Sequence, residues 1–263
     1  MLMRKTSLQK YWPLYLLTTA VAFILRYFSK ATDSDVINWM LAPTVRWVSV
    51  LSGITFEYLP HQGYASHAYY FLVAPSCAGI RFMMIAFLML MFSSLHRIEK
   101  KKSGYLWFCF SIIFSYLATI LVNSIRITAS IHLPFLLKRA GLLDGWLTPD
   151  RLHTLTGTIV YFSSLCVIYL LTSSICKRWF LRGDAETSSA LSPTAPTGAC
   201  RIPSRRLIVP VFWYLLTVLV LPFCKRVVTN DWEGFGQYAL LVLASCFVIA
   251  AVLYLPVSRM QRH

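Results

Sequence analysis

Six long apolar segments are the feature that most constrains how this chain can fold. They cover residues 11–28, 79–95, 105–122, 154–176, 207–222 and 238–256. A helix of about 20 mostly apolar residues crosses the hydrocarbon layer of a bilayer. The chain has 263 residues, of which 57% are hydrophobic and only 13% charged, so too little polar surface is left for a soluble domain. The sequence therefore predicts an all-α polytopic membrane protein with about six transmembrane helices.

Basic residues are distributed unevenly between the segments that connect these helices. Fifteen Lys and Arg residues lie in four segments on one predicted side, namely 1–10, 96–104, 177–206 and 257–263. Eight lie in three segments on the other side, namely 29–78, 123–152 and 223–237. Cytoplasmic loops are enriched in Lys and Arg, so this distribution predicts that both termini are cytoplasmic. The net charge of +15 is then mostly a consequence of topology, and the lipid bilayer, not nucleic acid, is the expected partner.

Two segments between the first and second predicted spans have a different character. Residues 36–53 carry Asn38, Pro43 and Arg46 in an otherwise apolar stretch with two Trp, which favours a helix lying in the membrane interface. Residues 54–73 alternate apolar and polar side chains around a Pro-His-Gln-Gly turn, which predicts a short β-hairpin. Both segments are expected on the extracytoplasmic side.

A cysteine lies where this extended segment meets the second apolar segment. Pro75 marks the entry to a helix, Ser76 is a suitable N-cap, and Cys77 then falls in the first helical turn. Unpaired backbone N–H groups and the helix dipole stabilise a thiolate at that position. Arg81, four residues on, adds positive charge on the same face. Cys77 is therefore a candidate nucleophile, with apolar packing as the alternative role.

The other motifs of the sequence exclude several kinds of site. The seven cysteines form no CxxC pair and have no zinc-like spacing, so neither a disulfide framework nor a metal or other cofactor is predicted. GxSxG and HExxH motifs are also absent from the sequence, which removes the usual support for a serine hydrolase or a zinc peptidase.

Two further reactive side chains are predicted at the same membrane face as Cys77. Arg126 follows the third apolar segment, and His153 begins the fourth. A thiol, a guanidinium and an imidazole are the groups needed for nucleophilic attack on an amide. Simpler roles remain open, because Arg126 can also anchor its helix at the interface and His153 can be a polar residue at a helix N-terminus.

Three blocks of this sequence resemble, in the same order, the signature blocks of the exosortase/archaeosortase family. They are Ser76-Cys77-Ala78-Gly79-Ile80-Arg81, then Asn123-Ser124-Ile125-Arg126, then His153 with Gly157 one turn on. The resemblance covers roughly residues 10–176. It implies a multipass cysteine-type peptidase, a membrane transpeptidase that cleaves C-terminal sorting signals of secreted proteins. In exosortases such a signal resembles Pro-Glu-Pro followed by a membrane helix and a basic tail.

The resemblance also implies a role for each residue. Cys77 would attack the scissile carbonyl to form a thioester, Arg126 would stabilise the oxyanion or the thiolate, and His153 would exchange protons with the thiol and the leaving amine. Asn123 is placed to orient Arg126. Arg81 would either meet an acidic residue of the signal or raise the local positive potential. His at the third position is typical of exosortases, which implies a bacterial inner-membrane protein with an extracytoplasmic active site.

The chain is predicted to have three parts. Residues 1–176 form the catalytic membrane domain, 177–206 a basic cytoplasmic loop, and 207–263 a membrane extension of two helices without a recognisable signature. The alternative function is a non-enzymatic transporter or channel-like protein, with intramembrane charges such as Arg26 and Arg81 along a pathway. The sequence contains no internal repeat to support it. The substrates, the acceptor nucleophile and the oligomeric state stay open at this point.

Overall fold

The computed structural model describes residues 3–95, 98, 101–141, 148–185, 208–230, 232 and 234–259. Within these residues the chain is mostly helical, as predicted, with one small antiparallel sheet. Its α-helices are α1 (Met3–Phe28), α2 (Asn38–Ser52), α3 (Ile80–Ser94), α4 (Lys101–Arg139), α5 (Pro149–Ala185), α6 (Ile208–Leu215), α7 (Leu221–Thr229) and α8 (Phe235–Arg259).

Five helical segments of the described chain are long and apolar enough to cross a bilayer. They are Pro75–Ser94, Lys102–Arg139, Arg151–Ile175, Ile208–Thr229 and Phe235–Val252. These five correspond to the second to sixth predicted spans. The first predicted span lies in α1, which is a continuous helix but is not among the five. Its tyrosines, together with Pro13 and Arg26, lower its mean hydropathy.

α3 lies at the centre of the bundle and fixes the position of the segment that contains Cys77. Eleven of its fifteen residues are buried, and it packs against α1, α4, α5 and α6. Apolar clusters on different sides of α3 join it to α2 and α4, to α5, α6 and α8, and to α1 and α4. Burial of apolar side chains on all sides is what a helix without a polar face requires.

α4 and α5 are longer than the spans predicted within them. The 39 residues of α4 rise about 58 Å, roughly twice the thickness of the hydrocarbon layer. Asn123 and Arg126 therefore lie inside this helix. The apolar span of α5 ends at Ile175, and the helix continues to Ala185, into the basic segment predicted at 177–206. Residues 186–206 of that segment lie outside the described residues.

The segment before Cys77 contains three strands, where the sequence predicted a two-stranded hairpin. β1 (Glu57–Leu59) and β3 (Phe71–Val73) pair antiparallel with opposite edges of β2 (Gly63–Ser66). The alternation through residues 67–73 had indicated one continuous strand. A turn at 67–70, in which Tyr70 has φ 48°, reverses the chain there. β3 leads directly to Pro75, so the sheet delivers the chain to the cysteine.

α2 occupies the segment predicted as a helix at 36–53 and packs mainly against α4. The Ser124 hydroxyl of α4 donates a hydrogen bond to the Thr44 carbonyl at 3.1 Å, and the Tyr116 hydroxyl donates to the Trp39 carbonyl at 3.0 Å. The helix ends at Gly53, whose φ of 70° is left-handed. These contacts hold α2 beside the middle of α4.

The C-terminal helices are the most exposed part of the described chain. The fifth span is interrupted by a π-helical segment, Leu216–Val220, between α6 and α7. Within the protein, only 11% of the most apolar part of the fifth span, Ile208–Thr229, is buried. For the sixth span, Phe235–Val252 in α8, the buried share is 22%. Large apolar side chains on these helices therefore face outward, as expected of lipid-facing surfaces.

Candidate functional site

Cys77 ends a short 3₁₀ turn, Pro75–Cys77, that lies between β3 and α3. The Cys77 N–H donates to the Ala74 carbonyl at 2.8 Å, and no side chain caps the turn. Gly79 separates this turn from α3 and is the N-cap of that helix. The predictions that Ser76 caps the helix and that Cys77 lies in its first turn are therefore wrong. Arg81 lies in the first turn of α3, beyond the break.

Gly79 occupies a position that no other residue suits. Its φ of 75° is left-handed, which glycine adopts without steric cost. A Cβ there would lie 2.9 Å from Cγ of Asn123 and 3.1 Å from Cγ2 of Thr119. The missing side chain thus lets the start of α3 touch α4, and Asn123 reaches the backbone of Cys77.

Asn123 is buried and connects the cysteine segment to two other helices. Its Nδ2 donates to the Cys77 carbonyl at 2.6 Å, and its Oδ1 accepts from the Tyr161 hydroxyl at 2.7 Å. The predicted contact with Arg126 is present but longer, at 3.4 Å from Nη1 to Oδ1. Asn123 therefore positions Cys77 and Tyr161 more directly than it positions Arg126.

The guanidinium of Arg126 contacts two residues of α5, Tyr161 and His153. Nη1 donates to the Tyr161 hydroxyl at 3.0 Å, and Nη2 lies 2.8 Å from Nε2 of His153. The guanidinium carbon also lies 5.2 Å from the centre of the Tyr161 ring, within cation–π range. Nε is buried and has no hydrogen-bond partner among the described residues. It faces Gly157, where a Cβ would lie 3.4 Å away.

An unpaired buried donor has a cost that a ligand can relieve. Leaving such a group unsatisfied costs about 1–3 kcal/mol. An oxygen of a bound molecule that accepts from Nε of Arg126 would remove this cost. This geometry suits the recognition of an anionic or carbonyl oxygen.

His153 is exposed, and its Nε2 contacts Nη2 of Arg126. Arginine has only donors, so Nε2 of His153 must accept from Arg126 Nη2, and the imidazole in this pair is neutral. The structure thus brings together Arg126 and His153, which are 27 residues apart in the sequence.

A cleft of about 760 Å³ opens in front of these groups, within the usual range of about 300–1,000 Å³ for ligand sites. Its lining includes Ser76, Arg81, Arg126, His153, Gly157 and Tyr161. Charged and hydrogen-bonding groups from several elements therefore line the cleft, and Ile80, Phe82 and Ile85 of α3 form an apolar part of its lining.

Cys77 is less directly placed than its neighbours. Ser76 and Ala78 line the cleft, whereas the half-buried Cys77 side chain packs against the apolar cluster between α2 and α4. Its thiol forms no hydrogen bond with a described residue, but it lies within electrostatic range of Tyr161. The structure thus links the backbone of Cys77 to Arg126 and His153 through Asn123 and Tyr161, and its thiol has no hydrogen bond to the described imidazole.

Tyr161 is the site residue that sequence reasoning missed. Its ring stacks on Phe82 with centroids 4.8 Å apart, and its hydroxyl joins Asn123 to Arg126. A signal was available, since His153, Gly157 and Tyr161 are spaced by four and so share one face of a helix.

A second group of ionisable side chains lies above the bundle, near the edge of the sheet. Asp33, Asp35 and His61 place one potential metal-ligating atom each within 4.8 Å of one another. The His61 Nδ1 lies 3.2 Å from a carboxylate oxygen of Asp33 and 3.3 Å from one of Asp35, and the Tyr58 hydroxyl donates to Asp35. The side chain of His61 is largely exposed and those of Asp33 and Asp35 are partly exposed, and their mutual ion pairs account for their positions.

No family model, curated protein or solved structure matches this chain. What can be said of its function therefore follows from the geometry of the cleft and from the sequence.

Proposed function

We propose that the protein is a membrane-embedded cysteine transpeptidase or protease of the exosortase type. It would cleave C-terminal sorting signals, similar to Pro-Glu-Pro followed by a membrane helix and a basic tail, from secreted proteins. The reaction would pass through a thioester on Cys77. The catalytic residues would be Cys77, Arg126 and His153.

The observation that carries this proposal is the convergence of three distant sequence blocks on one cleft. The chain around Cys77 is tied to Asn123, Asn123 to Tyr161, and Arg126 to both Tyr161 and His153. A packing cysteine, an interfacial anchor and a helix-terminal histidine would not need a shared hydrogen-bond network.

The arrangement supports the following division of labour. The thiolate of Cys77 attacks the scissile carbonyl from the part of the cleft that Ser76 and Ala78 line. The developing oxyanion accepts from Nε of Arg126, the buried donor without a partner. His153 is neutral in its contact with Arg126, so it can take the thiol proton when substrate displaces that contact, and later give it to the leaving amine. An amine or water then resolves the acyl-enzyme.

The proposed topology has six spans, with α1 as the first and α2 in the interface. Both termini are then in the cytoplasm of a bacterial inner membrane, and the cleft opens on the extracytoplasmic side. The charge distribution of the sequence supports this, as does the packing of α1 against α3 in the bundle. α1 does not reach the hydropathy of the other five spans, but it carries large apolar side chains that face outward, as lipid-facing helices do, among them Leu16, Phe23 and Ile24.

Expression with a secreted reporter that carries a Pro-Glu-Pro tail tests the proposal. Processing should occur with the unmodified protein and disappear with Cys77→Ala and Cys77→Ser, because serine has no accessible anionic form near neutral pH. Cys109→Ala, which removes an exposed thiol of α4, is the matched control and should process normally. Full processing by Cys77→Ala, with equal protein in the membrane, would refute the nucleophile assignment.

A further inference from the structure

A second cavity, of about 340 Å³, adjoins the cleft and is lined by four basic side chains. Arg26 comes from the last turn of α1, Arg81 from the first turn of α3, and Lys225 and Arg226 from α7. Arg81 and Tyr238 line both cavities. The ends of three helices that are distant in the sequence thus concentrate positive charge at one place.

Three of the four basic side chains of this cavity have no hydrogen-bond or ion-pair partner among the described residues. Its described lining contains no Asp or Glu. The side chains of Arg26, Arg81 and Lys225 form no hydrogen bond or ion pair with any described residue. Arg26 and Arg226 are half-buried, whereas Arg81 and Lys225 are exposed. Like charges that line one cavity repel each other, and the repulsion is relieved when an anion binds.

Helix dipoles explain only part of this arrangement. Arg26 and Arg226 lie in the last turns of their helices, where a cation is favourable. Arg81 lies at the N-terminal end of α3, where the dipole disfavours a cation. Its presence there, among other cations, needs a separate cause.

The surroundings of the cavity indicate the kind of anion. Lys225 and Arg226 follow the exposed apolar surface of α6 and α7, on which Phe212, Val220 and Leu221 face outward. Basic groups that lie between the ends of membrane helices bind phosphate-bearing headgroups, and guanidinium groups match phosphate oxygens in pairs.

We infer that this cavity binds a phosphate group, supplied by the headgroup of an anionic phospholipid whose acyl chains lie along α6 and α7. The inference does not depend on the proposed peptide chemistry, because its test uses no substrate. It assigns to the basic residues a ligand that lies beside the cleft. Arg81 lines both the cleft and this cavity.

The test is a titration of the full-length protein in neutral detergent, with bound lipid counted by native mass spectrometry. Short-chain phosphatidylglycerol should bind more tightly than phosphatidylcholine. Arg26→Gln/Lys225→Gln should weaken the binding of phosphatidylglycerol about tenfold or more, since each basic group near an anionic lipid contributes about 1 kcal/mol. Arg26→Lys/Lys225→Arg, which keeps both charges, should bind nearly as the unmodified protein does.

Lys138→Gln/Arg139→Gln is the matched control. It removes the same charge from the exposed end of α4, away from the cavity, and should leave binding unchanged. Inorganic phosphate distinguishes the source: displacement of phosphatidylglycerol by millimolar phosphate would retain the phosphate site but assign it to a soluble ligand. The inference would be overturned if Arg26→Gln/Lys225→Gln and Lys138→Gln/Arg139→Gln weakened binding equally. Equal affinity of the unmodified protein for the two lipids would also overturn it.

Discussion

At the scale of single residues, Arg126 connects most of the groups in the cleft. Its two terminal nitrogens contact Tyr161 and His153, and its buried Nε has no partner among the described residues. A lysine at this position would keep the charge but has one nitrogen, which cannot occupy three places at once.

Arg126→Lys should therefore lose most activity, by about 10²-fold or more if an oxyanion contact is lost. Cleavage of the tailed reporter, normalised to the amount of protein in the membrane, measures this. Arg139→Lys, a change of the same kind at an exposed position, is the control. If lysine supports near-normal cleavage at position 126, Arg126 acts only as an interfacial anchor, since lysine snorkels equally well.

Gly79 offers a test of the contact between α3 and α4. Gly79→Ala forces a Cβ to within 2.9 Å of Asn123, so the bonds from Asn123 to Cys77 and Tyr161 must break or shift. Gly141→Ala is a matched control, because Gly141 has a similar φ of 68° but nothing within 4 Å of its added Cβ.

Both alanine variants have the same left-handed strain, about 1–2 kcal/mol. We expect the free energy of unfolding of Gly79→Ala to be lower than that of Gly141→Ala by about 1–3 kcal/mol, the usual cost of unsatisfied buried hydrogen-bonding groups. Reversible unfolding in mixed detergent micelles gives both values. Equal destabilisation would mean that the contact with Asn123 does not hold the cysteine segment.

The candidate residues of the site could be predicted from their chemistry, but their local geometry could not. Cys77, Arg126 and His153 were identified as reactive types at segment ends. The break at Gly79 was missed because the close packing that excludes a side chain there comes from Asn123, on a helix more than forty residues away in the sequence. Tyr161 was missed because a tyrosine in an apolar span is normally read as core or interface.

At the scale of elements, ion pairs of Asp33 and Asp35 with His61 join the loop 29–37 to the β1–β2 turn. We call this group of three residues the clasp. Ser29, Lys30 and Thr32 of this loop also line the cleft, so the clasp holds one of its walls. The hydrogen bond to Asp33 and then the charges of Asp35 and Asp33 raise the pKa of His61. The backbone N–H of Asp35 and then the His61 side chain lower the pKa of Asp33.

These two shifts define the pH window of the clasp. The His61 contribution is complete below its ordinary pKa of about 6.5 and is lost as pH rises through the raised value. The Asp33 contribution is present above its ordinary pKa of about 3.9 and is lost as pH falls through the lowered value. The clasp should therefore be strongest between about pH 4 and 6.5 and weaken above neutrality.

Hydrogen exchange of the peptide 29–37, corrected for the intrinsic effect of pH, measures this weakening. Protection should fall as pH rises in the unmodified protein. His61→Asn keeps a residue that tolerates the φ of 64° at this position and should give low protection that does not change with pH. A pH dependence that survives in His61→Asn would show that other groups control the loop.

Hydropathy predicted where most helices lie but not where they end. The helices continue past the apolar segments because Lys, Arg, Ser and Thr at residues 123–139 and 177–185 are compatible with helix in water. The third strand was missed for a similar reason, since alternation continues through the turn that contains Tyr70.

At the scale of the whole molecule, the proposed topology requires the sheet and the basic segment 96–104 to lie on opposite sides of the membrane. Single cysteines at positions 65 and 101, in a variant whose native cysteines are replaced, report on this. An impermeant maleimide should label Ala65→Cys in intact spheroplasts and should label Lys101→Cys only after the membrane is opened. Labelling of position 101 in intact spheroplasts would refute the topology.

The most direct test of the central claim is to capture the acyl-enzyme. Purified protein is incubated with a tailed peptide in the absence of amines, quenched in acid, digested and analysed by mass spectrometry. We predict a peptide adduct on the fragment that contains Cys77, removed by hydroxylamine as a thioester is and absent from Cys77→Ala, with no adduct on the exposed Cys109. Cleavage of the peptide with no adduct on Cys77, or equal adducts on both cysteines, would contradict the account.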